Sequence, residues 1–261
     1  MAELCVKFFS NCLKRNTEFK MLLPNDPRQD IPWDEAGHRP EDMKTILLLH
    51  GYTGDADIWV NRDQAASLNI AIVAPNGENG FWLDGEATGR KYASFVGEEL
   101  IEYIRKTFGL ALTPDKTGVM GLSMGGFGAL HTALAYPETF GCAAALSSAL
   151  IHNEVAKMKE GQGNSVANYE YYRECFGDPS KLQESDNNPE YLVKKLKAEG
   201  RKLPDIFMAC GTEDFLLEPN RAFHKFLTDE GVDHVYEESE GIHDMNFWSR
   251  YAAIFMPRMF G

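Results

Sequence analysis

The sequence predicts an α/β fold, with a mostly parallel central sheet and helices on both faces. Two observations carry that expectation. Apolar runs of strand length alternate with amphipathic stretches of helical length along most of the chain, and such alternation implies right-handed βαβ units. One of the junctions reads TGVMGLSMGGFGAL (Thr117–Leu130), a strand running straight into a helix through a serine crowded by glycines.

Each element follows from its own pattern. AELCVKFFS and TEFKMLLP read as two strands joined by a polar turn at Lys14, Arg15 and Asn16, and they add an antiparallel edge. A polar loop with Pro24, Pro27, Pro32 and Pro40 comes next. KTILLLH (Lys44–His50) is a buried strand ending at Gly51. A helix near Trp59–Ala66 leads to the strand NIAIVAP (Asn69–Pro75), and Asn76–Lys91 is a loop rich in glycine and acids. Tyr92–Phe108 is an amphipathic helix with Phe95, Val96, Leu100, Tyr103 and Ile104 on its apolar face. Met124–Tyr136 is a helix stopped by Pro137. Strands Gly141–Ser148, Asp205–Gly211 and Asp233–Gly241 follow, with a helix at Asn220–Glu230 and a closing helix from about Met245 to Phe260. Residues 149–190 break the rhythm. They are polar, carry Tyr169, Tyr171 and Tyr172, and read as an insertion over the sheet. With no internal repeat or domain boundary in view, 1–261 reads as one domain.

Ligands of an open parallel sheet bind beyond the C-terminal ends of its strands, and Ser123 falls at such an end. Gly121-Leu122-Ser123-Met124-Gly125 in a strand–turn–helix context is a nucleophile elbow. The serine needs a base, and the base needs an acid to orient it. In this architecture the order is serine, acid, histidine. Among the late histidines, His224 falls inside a helix and His234 begins a strand. His243 lies in the loop EGIHDMNFW after the last strand, where a base must hang to reach the serine. The acid should end the preceding strand. CGTEDF offers Glu213 and Asp214, of which Asp214 is taken as the acid. Asp244 is suited to cap the last helix. Two backbone N–H groups must face the developing oxyanion, and Met124 and Tyr52 are the candidates. His50 is expected to be structural. Phe81, Trp82 and Tyr172 are the expected substrate-binding residues, whereas Phe127 and Trp248 are expected to be ordinary core.

Composition narrows the partners. Asp and Glu number 39 against 26 Lys and Arg, a formal net charge of −13. Such a chain is repelled by phosphate backbones and anionic membranes, so neither nucleic acid nor a membrane is an expected partner. No apolar run approaches transmembrane length, and the N-terminus lacks a signal-peptide pattern. Five cysteines without a C-x-x-C pair suggest neither a disulfide framework nor a zinc site, so a reducing cytoplasm is expected. The expected partner is a small-molecule ester, with homo-oligomerisation left open, and the chemistry needs no cofactor and no metal.

Four blocks, LLLHGYTGDADIW, GLSMGGFGAL, LPDIFMACGTEDFL and GIHDMNFW, resemble the esterase D group of α/β hydrolases. That group includes tributyrin esterases, S-formylglutathione hydrolases, some feruloyl and acetyl-xylan esterases and, more distantly, mycolyltransferases. The resemblance spans nearly the whole chain. It implies the α/β-hydrolase fold, a Ser123/Asp214/His243 triad, oxyanion donors at Tyr52 and Met124, and a scaffold role for Trp59. The expected activity is a serine carboxylesterase for small or aromatic acyl esters, acting through an acyl-enzyme. The alternatives are S-formylglutathione hydrolysis and acyl transfer to a sugar or alcohol. Glu78, Asp84 and Glu86, in the loop expected to border the pocket, weigh against anionic glutathione. His243 must be neutral to accept a proton, so activity should fall on the acid side.

Overall fold

The computed structural model describes residues 1–24 and 40–261. The part of the proline-bearing loop with Pro27 and Pro32 lies outside the described residues. Among the described residues eight strands form one sheet in the order β1-β2-β4-β3-β5-β6-β7-β8. β1 (Ala2–Ser10) and β2 (Arg15–Leu23) pair antiparallel, and β2 joins β4 (Ile70–Pro75) antiparallel. The remaining neighbours, through β3 (Lys44–Leu49), β5 (Thr117–Leu122), β6 (Cys142–Leu146), β7 (Asp205–Gly211) and β8 (His234–Ser239), are parallel. Central strands buried on both faces must be apolar throughout, and β4 and β5 are buried at every position.

Nine α-helical segments are present among the described residues. α1 (Arg62–Ser67) is capped by the Asn61 side chain, so the expected start at Trp59 moves three residues on. Trp59 is partly buried against the core. α2 (Tyr92–Ser94) and α3 (Leu100–Phe108) are joined through a π-helical turn at Phe95–Glu99. From that turn Glu99 clasps the first hairpin, accepting from the Ser10 hydroxyl and from the Asn11 N–H at 2.6 Å. Arg15 and Asn16, expected in the hairpin turn, instead pair with Ser10 and Phe9 within the sheet. α4 (Met124–Ala135) follows β5 directly.

The segment 149–190 is more helical than its polarity suggested. It holds α5 (His152–Val155) and α6 (Tyr169–Phe176), and α7 (Pro189–Ala198) begins at its end. The start signals are in the sequence: Asn168 and Asn188 cap α6 and α7 with their side chains, and Pro189 occupies the first turn of α7. α8 (Leu217–Asp229) starts three residues before the expected Asn220. α9 (Met245–Phe255) is shorter than expected and is capped by Asp244. α1 and α9 pack on one face of the sheet, around Ile46, Met120 and Ala144. α3, α4, α7 and α8 cover the other, around Leu47, Val119 and Ala143. No helix among the described residues is long and apolar enough to cross a membrane.

Candidate active site

The site is built where β5 ends. Ser123 sits at φ 54°, ψ −118°, a conformation that non-glycine residues adopt only when their surroundings enforce it. Two close approaches enforce it here. A Cβ on Gly121 would fall on the carbonyl oxygen of Gly125, and one on Gly125 would fall on that of Leu49. Only glycine lets α4 press this closely on β5 and β3. The turn is further pinned by the Ser123 N–H donating to Leu146 O at 2.8 Å and the Ala149 N–H donating to Ser123 O at 2.9 Å. The side chain therefore projects from the sheet at the N-terminus of α4, where the helix dipole is positive.

Two loops at the same end of the sheet meet that hydroxyl. The loop after β8 carries His243, and the loop after β7 carries Asp214. His243 Nε2 lies 3.0 Å from Ser123 Oγ, and His243 Nδ1 lies 2.8 Å from Asp214 Oδ2 and 3.0 Å from Oδ1. With Nδ1–H donating to the carboxylate, Nε2 is free to accept the serine proton. Asp214 is buried and also accepts from the Leu216 N–H at 2.8 Å. Burial alone would raise its carboxyl. The hydrogen bonds from the His243 ring and the Leu216 amide outweigh burial and hold it below the ordinary carboxylate range. Its contribution to stability is thus present at neutral pH, above the unfolded value of ~3.9, and is lost as pH falls through its lowered native value. Asp214→Asn is expected to flatten the decline of the urea midpoint between about pH 5 and pH 2 relative to the parent protein. Parallel declines in the two proteins would show that the carboxylate is not held this way.

Glu213, the other acid of the same loop, is exposed and takes no part in the pair. His234 and His224 are elsewhere: His224 Nδ1 lies 2.7 Å from His234 Nε2, which ties α8 to the edge strand β8. His224 is thus half-buried in a pair rather than a free surface residue. His50 is structural as expected. It is buried, its Nδ1 meets Gly51 O at 2.8 Å, and its Nε2 accepts from the Gly77 N–H at 3.0 Å. The N–H groups of Tyr52 and Met124 have no main-chain acceptor among the described residues. Both residues line the cavity beside Ser123.

That cavity encloses about 590 Å³. Phe81 and Tyr172 line it, and Tyr172 donates to Asn164 Oδ1 at 3.0 Å. Trp82 does not. It is fully buried, packs edge-on against the His50 ring, and donates from Nε1 to His50 O at 3.2 Å. Phe81 and Trp82 both have positive φ, 51° and 56°, and this tight turn sends one ring to the cavity and the other to the core. Trp248, expected as plain core, lines the cavity and meets the His243 ring edge-to-face at 4.8 Å. Phe127 is core. Glu78, Asp84 and Glu86 are also displaced from their expected place. Glu78 pairs with Arg15 and Arg90, Asp84 accepts from Ser94, and Glu86 faces Arg173 at 3.7 Å. The carboxylate that does line the cavity is Glu154, and no lysine or arginine joins it among the described residues. Glu154, Asn164 and Phe215 escaped the sequence reading. Phe215, directly after Asp214 and apolar in a polar loop, is the one that could have been found.

Solved structures share this architecture over the full chain. A fluorophosphonate-binding serine hydrolase of Staphylococcus aureus superposes with a TM-score of 0.83 at 22% identity, covering 100% of this chain and 98% of that one. The S-formylglutathione hydrolase of the same organism gives 0.80 at 23%, covering 100% and 99%. The fold is that of the α/β hydrolases. Within it the chain belongs to the Esterase family, whose model matches residues 10–252. An acetyl esterase of Caldicellulosiruptor saccharolyticus is 43% identical over 258 residues, 97% of this chain and 96% of that protein. As a member of that family the chain is an esterase, a hydrolase that acts on ester bonds.

Proposed function

We propose that this protein is a carboxylesterase for small acyl oxyesters, with acetyl esters foremost, acting through an acyl-enzyme on Ser123. The observation that carries the reading is the unbroken Ser123–His243–Asp214 hydrogen-bond chain at the mouth of one cavity. Ser123 Oγ attacks the ester carbonyl as its proton passes to His243 Nε2, and Asp214 stabilises the imidazolium. The oxyanion is received by the N–H groups of Met124 and Tyr52. As the C–O bond breaks, His243 returns the proton to the alcohol. Water, deprotonated by the same histidine, then releases the acid.

Two observations favour acetyl-type oxyesters over S-formylglutathione. The 43% identical relative is named an acetyl esterase. The cavity wall also offers a carboxylate and no cation among the described residues, where anionic glutathione calls for surplus positive charge. The apolar area from Phe81, Tyr172 and Trp248 leaves room for an aromatic acyl group as well. The test is kcat/KM on 4-nitrophenyl acetate, 4-nitrophenyl butyrate, methyl ferulate and S-formylglutathione. The acetate is expected to lead and S-formylglutathione to trail. A preference for S-formylglutathione over all three oxyesters would replace this reading with the thioesterase one.

A further inference from the structure

Resting on the reading of Ser123 as nucleophile and His243 as the group that returns its proton, we infer that Phe215 is the platform for the departing alcohol. It selects esters whose alcohol presents the flat apolar face of a six-membered ring. Phe215 is 73% exposed, more than any other large apolar side chain among the described residues. So little burial contributes little to folding, and an exposed apolar cluster calls for a binding explanation. Phe215 has exposed apolar company near the base in the sequence: Ile242 and Met245, on either side of His243, are 52% and 45% exposed. The loop that supplies the acid therefore presents Phe215 to solvent at the cavity that Phe215 and Ser123 both line, and His243 lines the same cavity.

The chemistry says what that surface meets. When the tetrahedral intermediate collapses, the electron pair of the breaking C–O bond moves to the alcohol oxygen, and His243 Nε2–H supplies its proton. The alcohol oxygen must then lie within hydrogen-bond reach of His243, and the rest of the alcohol extends from that point. The Phe215 ring centroid is 4.5 Å from that of His243, tilted by 48°. Trp248 also touches the imidazole but is buried, so Phe215 is the aromatic face open to the alcohol. Opposite polarity is available in the same cavity. Asn164 Nδ2 donates to Glu154 Oε1 at 3.2 Å, and the Glu154 side chain is exposed. A ring laid on Phe215 can offer its hydroxyl edge to that carboxylate.

The test compares the parent protein with Phe215→Ala and Phe215→Trp on three acetates: methyl 4-O-acetyl-glucopyranoside, glycerol monoacetate and phenyl acetate. In Phe215→Ala the ratio of ring ester to glycerol ester in kcat/KM is expected to fall about five- to tenfold, the size of one aromatic contact. Phe215→Trp should restore it. The change should appear in KM, because the contact exists before and during bond breaking. A fall for the pyranoside identifies a sugar ring, and a fall confined to phenyl acetate identifies an aryl one. Ratios that stay constant overturn the inference, whether all three activities drop together, as they would if Phe215 only steadied His243, or none drops. Ser123→Ala run alongside separates the two claims: if it retains activity, the nucleophile reading fails on its own account, and if it is inactive while the ratios stand still, only Phe215 is misread.

Discussion

Ser123→Ala is expected to fold normally and to lose about 10⁴-fold or more in kcat on any ester the parent hydrolyses, which is about 5.5 kcal/mol of transition-state stabilisation. Folding should survive because alanine keeps the Cβ, and the deleted Oγ bonds His243 Nε2, 3.0 Å away. The close approaches that force φ 54° belong to Gly121 and Gly125, which remain. What persists is the cavity and the N–H groups of Met124 and Tyr52 proposed to receive the oxyanion, enough for slight catalysis over water. Near-parental turnover in a folded Ser123→Ala protein would remove the serine from the mechanism.

His243→Gln is expected to fall about as far, since a serine without its base is nearly as poor as no serine. The informative comparison is with His224→Gln and His234→Gln. These two rings bond each other at 2.7 Å, His224 midway along α8 and His234 at the start of β8, the end away from the loop that carries His243. Their loss should cost stability of about 1 kcal/mol and leave activity within a few-fold of the parent. Circular dichroism and urea unfolding would verify folding in each case. A folded His234→Gln protein as inactive as His243→Gln would overturn the assignment of the base.

The parts of this molecule that were legible in its sequence are those where chemistry or sterics demands a residue type at a fixed place in an element. Gly121 and Gly125 are required because backbone occupies the space of a Cβ. Ser123, Asp214 and His243 had to sit at strand ends in that order for three loops to converge, and the structure brings them within hydrogen-bond distance. The sheet followed from apolar runs that only burial on two faces explains. The cavity lining was less legible, because it depends on which way irregular backbone turns a side chain. Phe81 and Trp82 are adjacent aromatics that a pair of positive-φ residues sends to different places. Glu78, Asp84 and Glu86 share a loop with them, yet are drawn off by Arg90 and Ser94 close by in the chain and by Arg15 and Arg173 from distant parts of it. Those partners are set by tertiary packing, which no local pattern encodes. The polarity of 149–190 hid three helices, although Asn168, Asn188 and Pro189 marked two of their starts.

The central claim is that Ser123 is the nucleophile, and covalent capture tests it most directly. The active enzyme would be treated with a fluorophosphonate until hydrolysis of 4-nitrophenyl acetate stops, then digested and mapped by mass spectrometry. One adduct per chain on Ser123 is the predicted result, rising in step with the loss of activity and absent from a folded Ser123→Ala protein. Full esterase activity under saturating reagent, or inactivation with the adduct on a different residue and Ser123 unmodified, would contradict it.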